Sequence, residues 1–141
     1  MFTKVAIFGV GDFVSDVMDA ALANGLAVSR VVVNLPDPPT PATISLARRL
    51  DALERIGGGR PVVQMLDDFT PRDDECHVLG ITTPAKERLV RELAERFGRV
   101  CASLVHPRAS VSPLATLGVG VFVGAGAVVA AGAHLADHAV V

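Results

Sequence analysis

Aliphatic side chains recur at every sixth position over the last third of the chain. The repeating positions are Val105, Val111, Leu117, Val123, Val129, Leu135 and Val141. A small or β-branched residue stands two positions before each of the last six, namely Ala109, Ala115, Val121, Ala127, Ala133 and Ala139. This period matches neither the helical repeat of roughly 3.6 residues nor the alternation of a strand, and it is typical of parallel β-helices. We therefore expect a left-handed β-helix whose aliphatic residues fill a three-sided coil.

The same stretch resembles a membrane span in hydropathy, because it carries no charged residue between Ala109 and Ala133. A hydropathy window would select Leu114–Ala133 as a span. Glycine is costly inside a helix, and this window contains Gly118, Gly120, Gly124, Gly126 and Gly132. The sequence therefore predicts no membrane span.

Apolar runs alternate with amphipathic segments in the part of the chain before the repeat. The predicted strands are Lys4–Phe8, Val28–Asn34, Pro61–Met65, His77–Ile81 and Val100–Leu104, and the predicted helices are Phe13–Asn24, Thr43–Ile56 and Pro84–Phe97. The predicted loops are a stiff surface segment with Pro36, Pro38, Pro39 and Pro41, and an acidic segment, Asp67–Glu75. This alternation predicts an α/β fold with a Rossmann-like parallel sheet flanked by helices, followed by the first coils of the β-helix. We expect one domain over residues 1–103 and a second over residues 104–141.

Composition excludes some classes of partner. The net charge is −2, and no basic stripe or aromatic platform is present, so nucleic-acid binding has no electrostatic support. The two cysteines, Cys76 and Cys101, form no CxxC pair and are interpreted as buried thiols in a reducing cytoplasm. The N-terminus shows no signal-peptide pattern.

The first candidate site is the turn Gly9-Val10-Gly11, which follows a predicted strand and precedes a predicted helix. This is the context of a phosphate-binding turn at a helix N-terminus. The third glycine of the dinucleotide fingerprint is replaced by Val14. Asp12 is a candidate N-cap, and its carboxylate would compete with a phosphate for the same amides. Nucleotide-sugar binding and a purely structural tight turn both remain open.

Three further candidates follow the second and fourth predicted strands. Asn34 stands about where a dinucleotide fold places its ribose-binding acid, and it could bind a ribose or cap a turn. Thr82 and Thr83 lie at the edge of the sheet where ligands bind in open α/β folds. Thr83 is expected to cap the helix that Pro84 begins, with ligand contact as its second role.

The histidines show no pattern of metal ligands, so no metal site is expected. Three of them, His106, His134 and His138, lie in the repeat, as histidines do in zinc enzymes of this fold, but their spacing has no ligand signature. His106 is interpreted as structural at the domain junction. His138 could face a neighbouring subunit and is the weak catalytic candidate of this set. His77 is expected within a strand, without a partner that the sequence identifies.

Three segments together resemble bacterial sugar acyltransferases of the sialic-acid O-acetyltransferase and bacillosamine N-acetyltransferase type. These segments are the glycine turn, Gly80–Pro84 and Leu104–Val129, and the most specific part runs from His106 to Pro113. The resemblance covers the whole chain. At the turn this chain has Asp12 and Phe13 where the family often has glycine or serine followed by histidine.

The resemblance implies a division of tasks between the two domains. The N-terminal domain would bind a nucleotide-linked sugar. The β-helix would form a homotrimer, with acetyl-CoA in the groove between the β-helices of neighbouring subunits. The reaction would move an acyl group to a sugar amine or hydroxyl during synthesis of cell-surface glycans in the cytoplasm. In the family, the general base is a histidine on a later coil, expected beyond Val141. We therefore assign no catalytic residue and expect the chain to be C-terminally truncated.

Two alternatives to an acyltransferase stay open at this stage. The chain could be a non-catalytic module that binds a nucleotide sugar and trimerises. It could also be an NAD(P)-dependent oxidoreductase, although the incomplete glycine fingerprint and Asn34, in place of an acid, argue against this class.

Overall fold

Four parallel strands form a single sheet in the N-terminal part of the chain. The computed structural model describes residues 2–35 and 42–141, so the proline-rich loop predicted at Pro36, Pro38, Pro39 and Pro41 lies outside the described residues. The elements are β1 (Lys4–Phe8), α1 (Phe13–Ala23), β2 (Ala27–Val33), α2 (Leu46–Arg55), β3 (Val62–Met65), a 3₁₀ turn (Leu66–Asp68), β4 (Glu75–Leu79) and α3 (Ala85–Phe97). The strand order is β3-β2-β1-β4, and every neighbouring pair is parallel.

Helices cover both faces of this sheet. Successive side chains of a strand point to opposite faces. In β1, Val5 and Ile7 pack in a core with residues of α1 and α2, whereas Ala6 and Phe8 pack in a second core with residues of α3. Strands buried on both faces need apolar side chains at consecutive positions, and this requirement explains the continuous apolar run of β1.

Short parallel strands follow one another at six-residue intervals in the C-terminal part. They are β5 (Leu104–Val105), β6 (Ser110–Val111), β7 (Thr116–Leu117), β8 (Phe122–Val123), β9 (Val128–Val129) and β10 (His134–Leu135). Each pairs with a strand eighteen residues away, β5 with β8, β6 with β9 and β7 with β10. A third core joins Val121, Val123 and Val129 to most of the positions selected by the period of six. The predicted fold class is confirmed: a parallel sheet flanked by helices is followed by stacked strands that begin a β-helix.

Helix α1 packs against both the N-terminal sheet and the C-terminal coils. The rings of Phe13 and Phe122 meet edge to face with centroids 4.9 Å apart. The side-chain amide of Asn24 donates to the Val105 carbonyl at 2.9 Å. Leu104 and Phe122 belong to the same core as α1. The sheet and the coils therefore share one continuous apolar contact.

The predicted fifth strand, Val100–Leu104, is wrong. Val100 is 70% exposed, and the sheet ends at β4. The amide of Leu104 donates instead to the carbonyl of Val121 at 2.8 Å. The backbone passes from the sheet to the coils within this segment: the Ala102 amide donates to the His77 carbonyl of β4 at 2.8 Å, and from Leu104 onward the chain pairs with the second coil.

The predicted bounds of the fourth strand, the acidic loop and the second helix also shift. The fourth strand was expected at His77–Ile81 and an acidic loop at Asp67–Glu75, but Glu75 begins β4 and is fully buried. The second helix begins at Leu46 rather than Thr43, because the Ser45 hydroxyl accepts a hydrogen bond from the Arg48 amide and caps it.

A buried ion pair explains how an acidic residue can begin the buried strand β4. The guanidinium of Arg30, on β2, donates to both carboxylate oxygens of Glu75, from Nε at 2.9 and 3.1 Å and from Nη2. The Ser29 hydroxyl also donates to Glu75. Arg30 further donates to the Gln64 side chain at 3.1 Å and to the Thr70 carbonyl at 2.9 Å. Burial by itself would raise the pKa of Glu75, but these bonds and the charge of Arg30 hold that pKa below its usual value.

His77 lies on β4 among phenylalanine rings. Its ring centroid is 5.2 Å from those of both Phe8 and Phe69 and 6.5 Å from that of Phe97. Its Nε2 atom is buried and has no hydrogen-bond partner among the described residues. Burial, with a smaller effect from the charge of Arg99, lowers the pKa of His77 from 6.5 to about 4.

This environment predicts a specific loss of stability in acid. The unfolded chain binds a proton at His77 near pH 6.5, whereas the folded chain resists protonation down to about pH 4. Stability is therefore complete above pH 6.5 and decreases as the pH falls toward 4. Between pH 6.5 and pH 4, the unfolding free energy of His77→Phe should therefore fall by about 2 kcal/mol less than that of the parent. Denaturant titrations at several pH values measure this, with exposed His134→Gln as control. Parallel pH profiles for His77→Phe and the parent would contradict the prediction.

Candidate functional site

The glycine turn lies at the carboxyl end of β1. The amide of Gly9 donates to the Val32 carbonyl at 3.0 Å, and its φ is +140°. A Cβ at this position would lie 2.7 Å from the Gly80 carbonyl oxygen, which is backbone. Gly9 is therefore required where β1 and β4 leave the sheet side by side. Around Gly11, by contrast, the space for a Cβ is open.

Asp12 does not cap α1, which corrects the prediction made from its position. It has helical dihedral angles, and its side chain makes no capping hydrogen bond. The carboxylate instead accepts from the amide of Thr43 at 3.0 and 3.1 Å and from that of Ile44 at 3.4 Å, and it pairs with Arg49. These hydrogen bonds, with the charge of Arg49, lower the pKa of Asp12. Partners more than thirty residues away along the chain thus outcompete the local cap.

This arrangement leaves the amides of the turn available. The amides of Val10, Gly11 and Asp12 donate no hydrogen bond to any residue that the structure describes. The Asp12 carboxylate, which could compete with an anion for these amides, is bound by Thr43, Ile44 and Arg49 instead. Unpaired amides at a helix N-terminus form a favourable environment for an anion.

Arg49, buried apart from 6% of its surface, also donates to the Asp12 carbonyl and to Ser15, so it holds the turn against α2. Arg49 could not be identified from the sequence, because an arginine in an amphipathic helix gives no sign of being buried.

Asn34 and the two threonines lie at the carboxyl ends of strands next to β1. Asn34 follows β2, is half-buried, and borders a small cleft with Ala85, Arg88, Leu89 and Glu92 of α3. Thr82 and Thr83 follow β4 and are exposed. Because β2, β1 and β4 are adjacent and parallel, the three candidate segments share one edge of the sheet. Asn34 lies toward α3, whereas the glycine turn leads into α1 on the opposite face.

Thr83 does not act as a side-chain cap, so this prediction is also wrong. Helix α3 begins at Ala85 after Pro84, which has helical dihedral angles of −56° and −22°. The Lys86 amide donates to the Thr83 backbone carbonyl at 2.9 Å. The hydroxyl of Thr83 forms no hydrogen bond within the described ranges and remains free to contact a ligand.

A larger cleft, of about 510 Å³, lies between α3 and the β-helix. Its lining comprises Lys86, Glu87, Val90, Arg91, Ala136, Asp137, His138 and Ala139. The Lys86 ammonium donates to the His138 carbonyl across it. Of these residues, sequence reasoning identified only His138. The others come from two separate parts of the chain, four from α3 and three from the coils, so their grouping depends on how α3 lies beside the coils.

The two other histidines of the coils, His106 and His134, do not form a cluster with His138. His106 is buried; its Nδ1 accepts from the Arg108 amide at 3.0 Å and its Nε2 lies 3.3 Å from Asp19 of α1. This places His106 where α1 meets the coils, as the structural interpretation expected. His134 is exposed. Within residues 2–35 and 42–141 no group of three or more side chains could hold a metal ion. In the same ranges, no helix has the length and apolarity that crossing a membrane requires.

Comparison with known proteins gives matches in structure. No protein-family model and no curated protein matches the sequence. Among solved structures, the acetyltransferase domain of PglB from Neisseria gonorrhoeae FA1090 superposes with a TM-score of 0.69 at 26% identity, over 99% of this chain and 62% of that chain. The same domain in complex with acetyl coenzyme A matches equally well over 100% of this chain.

A second set of matches comes from Caulobacter crescentus. A variant of perosamine N-acetyltransferase in complex with CoA and GDP-perosamine superposes with a TM-score of 0.67 at 23% identity, over 97% of this chain and 59% of that chain. The chain thus has the fold of these acetyltransferases and spans about three fifths of the length of each.

Proposed function

We propose that this chain belongs to an acetyltransferase that moves an acetyl group from acetyl-CoA to the amine or hydroxyl of a nucleotide-linked sugar. The observation that carries the proposal is the superposition, over essentially the whole chain, on acetyltransferase domains, one of them in complex with acetyl coenzyme A. The related fold of an enzyme in complex with GDP-perosamine supports a nucleotide sugar as acceptor. Cytoplasmic synthesis of cell-surface glycans is the setting that we propose for this reaction.

In this proposal, residues 1–103 form a Rossmann-like domain that binds the nucleotide sugar at the carboxyl edge of the sheet. The amides of Val10 and Gly11 would donate to a phosphate, because the Asp12 carboxylate is bound by Thr43 and Arg49 and leaves them free. Asn34, with Thr82 and Thr83 on the neighbouring strands, would contact the rest of the nucleotide. This edge is where ligands bind in open α/β sheets.

Residues 104–141, in the same proposal, form hexapeptide-repeat coils that contact two further copies of the chain in a homotrimer. Leu114 and Val128 support this assignment, since they are 73% and 71% exposed on the outer surface of the coils. In the proposed trimer, these side chains would be covered by a neighbouring copy of the chain. Acetyl-CoA would lie in the groove between the β-helices of neighbouring subunits of the trimer.

The transfer itself consists of direct attack by the acceptor amine or hydroxyl on the thioester carbonyl, with loss of the acceptor proton and release of CoA as the thiol. We assign no general base to this chain. His106 is buried against Asp19 and Arg108, and His77 lies inside the sheet. The part that this chain plays is to bind and orient the acceptor.

Isothermal titration calorimetry of the chain tests the proposal. The titrants are UDP- and GDP-linked sugars including GDP-perosamine, the free nucleotides UDP and GDP, and separately acetyl-CoA and NAD. We expect at least one nucleotide sugar to bind with a dissociation constant on the order of 10–100 µM, and NAD not to bind. Binding of NAD without any nucleotide sugar would contradict the proposal and favour an oxidoreductase. Binding of a nucleotide sugar by a trimer that never binds acetyl-CoA would favour a non-catalytic module.

The variant Gly11→Ala should weaken nucleotide-sugar binding without destabilising the fold. A Cβ at Gly11 meets no atom within 4 Å in the protein, but it would stand beside the amides that we assign to the phosphate. We expect about a tenfold higher dissociation constant, equivalent to roughly 1.4 kcal/mol, with an unchanged melting temperature. Unchanged affinity in a folded Gly11→Ala protein would remove the phosphate from this turn.

A further inference from the structure

Four successive repeats of the β-helix place a residue with positive φ at the same position. The residues are Gly120, Gly126, Gly132 and His138, with φ angles of +66°, +76°, +78° and +60°. Within residues 2–35 and 42–141, His138 is the single non-glycine residue with a positive φ. The chain therefore uses glycine where this turn needs the left-handed conformation, except at His138.

A side chain in the left-handed conformation costs free energy that glycine avoids. Non-glycine residues held in such conformations cluster at binding and active sites. At His138 the conformation is held by three contacts. Its amide donates to the Val119 carbonyl at 2.7 Å, Lys86 of α3 donates to its carbonyl, and the neighbouring Asp137 carboxylate accepts from the Val119 amide at 2.8 Å.

The imidazole of His138 lies directly against Gly120 of the preceding coil. A Cβ on Gly120 would stand 2.3 Å from Nδ1 of the ring, so this glycine makes room for the histidine. Nδ1 is buried and has no hydrogen-bond partner among the described residues. Nε2 is not among the buried atoms that lack a partner. Because burying an unpaired N–H is costly, the proton of the neutral ring is better placed on Nε2. The ring thus offers one donor, at Nε2, beside the cleft that His138 lines.

The lining of this cleft suits a sugar better than a phosphate. Lys86 and Arg91 are balanced by Glu87 and Asp137, so the charges of the lining cancel. Val90, Ala136 and Ala139 add apolar groups to the same lining. A sugar ring, with hydroxyls at its rim and C–H groups on its faces, matches such a mixed surface, and the cleft volume of about 510 Å³ accommodates it.

We propose that His138 is a specificity residue that donates a hydrogen bond from Nε2 to the sugar of the nucleotide-linked acceptor, which lies in the cleft between α3 and the coils. The inference rests on the proposed function, which supplies the nucleotide sugar. It adds the place of the sugar and the residue that recognises it. Helix α3 begins shortly after Thr82 and Thr83, and Lys86 and Glu87 of its first turn line the cleft, so a ligand bound at the sheet edge would extend into the cleft along this turn.

Calorimetry with His138→Gly and His138→Asn tests the proposal, using the same UDP- and GDP-linked sugars, each beside its free nucleoside diphosphate. For His138→Gly we expect about tenfold weaker binding of the nucleotide sugar, unchanged binding of the free diphosphate, and no fall in melting temperature, because glycine relieves the strained backbone. Asparagine tolerates the left-handed conformation and retains a donor, so His138→Asn should keep part of the affinity.

Gly132→His is the matched control, because it places an imidazole at the equivalent turn of the preceding repeat, where a Cβ meets nothing within 4 Å. It should lower the melting temperature by about 3 °C and leave all affinities unchanged. Equal affinity of His138→Gly and the parent for the nucleotide sugar, or an equal loss for the free diphosphate, would overturn the inference alone. A parent chain that binds no nucleotide sugar would overturn the proposed function and the inference with it.

Discussion

Replacing Arg30 with methionine is expected to lower the free energy of unfolding by about 3–5 kcal/mol. Both members of the pair are inaccessible, since the side chains of Arg30 and Glu75 are 3% and 0% exposed. Methionine has a similar length but no charge, so the variant leaves the Glu75 carboxylate buried without its counter-ion. It also removes the donors to Gln64 and Thr70 and the contact of the guanidinium with the Phe69 ring, 4.1 Å from its centroid.

The measurement is chemical denaturation of the parent and three variants: Arg30→Met, Glu75→Gln and the double variant. Because the double variant contains no uncompensated charge, it should recover at least about 2 kcal/mol relative to Arg30→Met. The exposed pair of Lys4 and Asp74, 3.2 Å apart, is the control, and Lys4→Met should cost less than about 1 kcal/mol. Additive losses in the double variant would show that the two side chains contribute independently.

The variant Gly9→Ala is expected to destabilise the chain by about 2–4 kcal/mol. The φ of Gly9, +140°, lies in a region that residues with a side chain rarely adopt. The added methyl would also meet the backbone of Gly80 at 2.7 Å and the Ile81 side chain at the same distance. Backbone at the ends of two paired strands cannot move without breaking the bond from the Gly80 amide to the Phe8 carbonyl, which is 2.7 Å long.

Thermal and denaturant unfolding of Gly9→Ala beside Gly11→Ala separates the roles of the two glycines. The first should lose stability, and the second should keep it and lose affinity for the nucleotide sugar. A stable Gly9→Ala protein would mean that β1 and β4 diverge further at this edge than the structure shows.

The parts of the fold that depend on local repetition could be predicted from the sequence. Residues at every sixth position, such as Val123 and Val129, meet in one core because each strand pairs with the strand one coil away. The strand β1 was predicted with its exact bounds, since an apolar run between a polar start and a glycine leaves little freedom.

The parts that depend on distant partners could not be predicted. Glu75 was placed in an acidic loop, because its neighbours are acidic and its partner Arg30 is forty-five residues away. Asp12 was expected to cap α1, but Thr43 and Arg49 supply stronger partners from another element. The composition of residues 100–104 suits a sheet strand equally well; the Ala102 amide does bond to β4, but the pairing of Leu104 with Phe122 places the end of the segment in the coils.

The sequence predicts which edge of the sheet carries the candidate site, but it does not predict the cleft beside it. Alternating strands and helices imply that the glycine turn, Asn34 and Thr82 share one edge of a parallel sheet, and the adjacency of β2, β1 and β4 agrees with this. The cleft beside His138 was not predicted, because it forms between two parts of the chain whose relative placement no local pattern encodes.

Helix α1 contributes to two halves of the molecule at once, through Val14 and Val17 toward the sheet and through Phe13 toward Phe122 of the coils. Exposing either half to water would uncover apolar surface of the other, so the whole chain should melt in a single cooperative transition. Because Phe13 lies shortly after the glycine turn, a ligand that orders this turn would also slow local opening of the coils, and amide hydrogen exchange in the coils would report its binding.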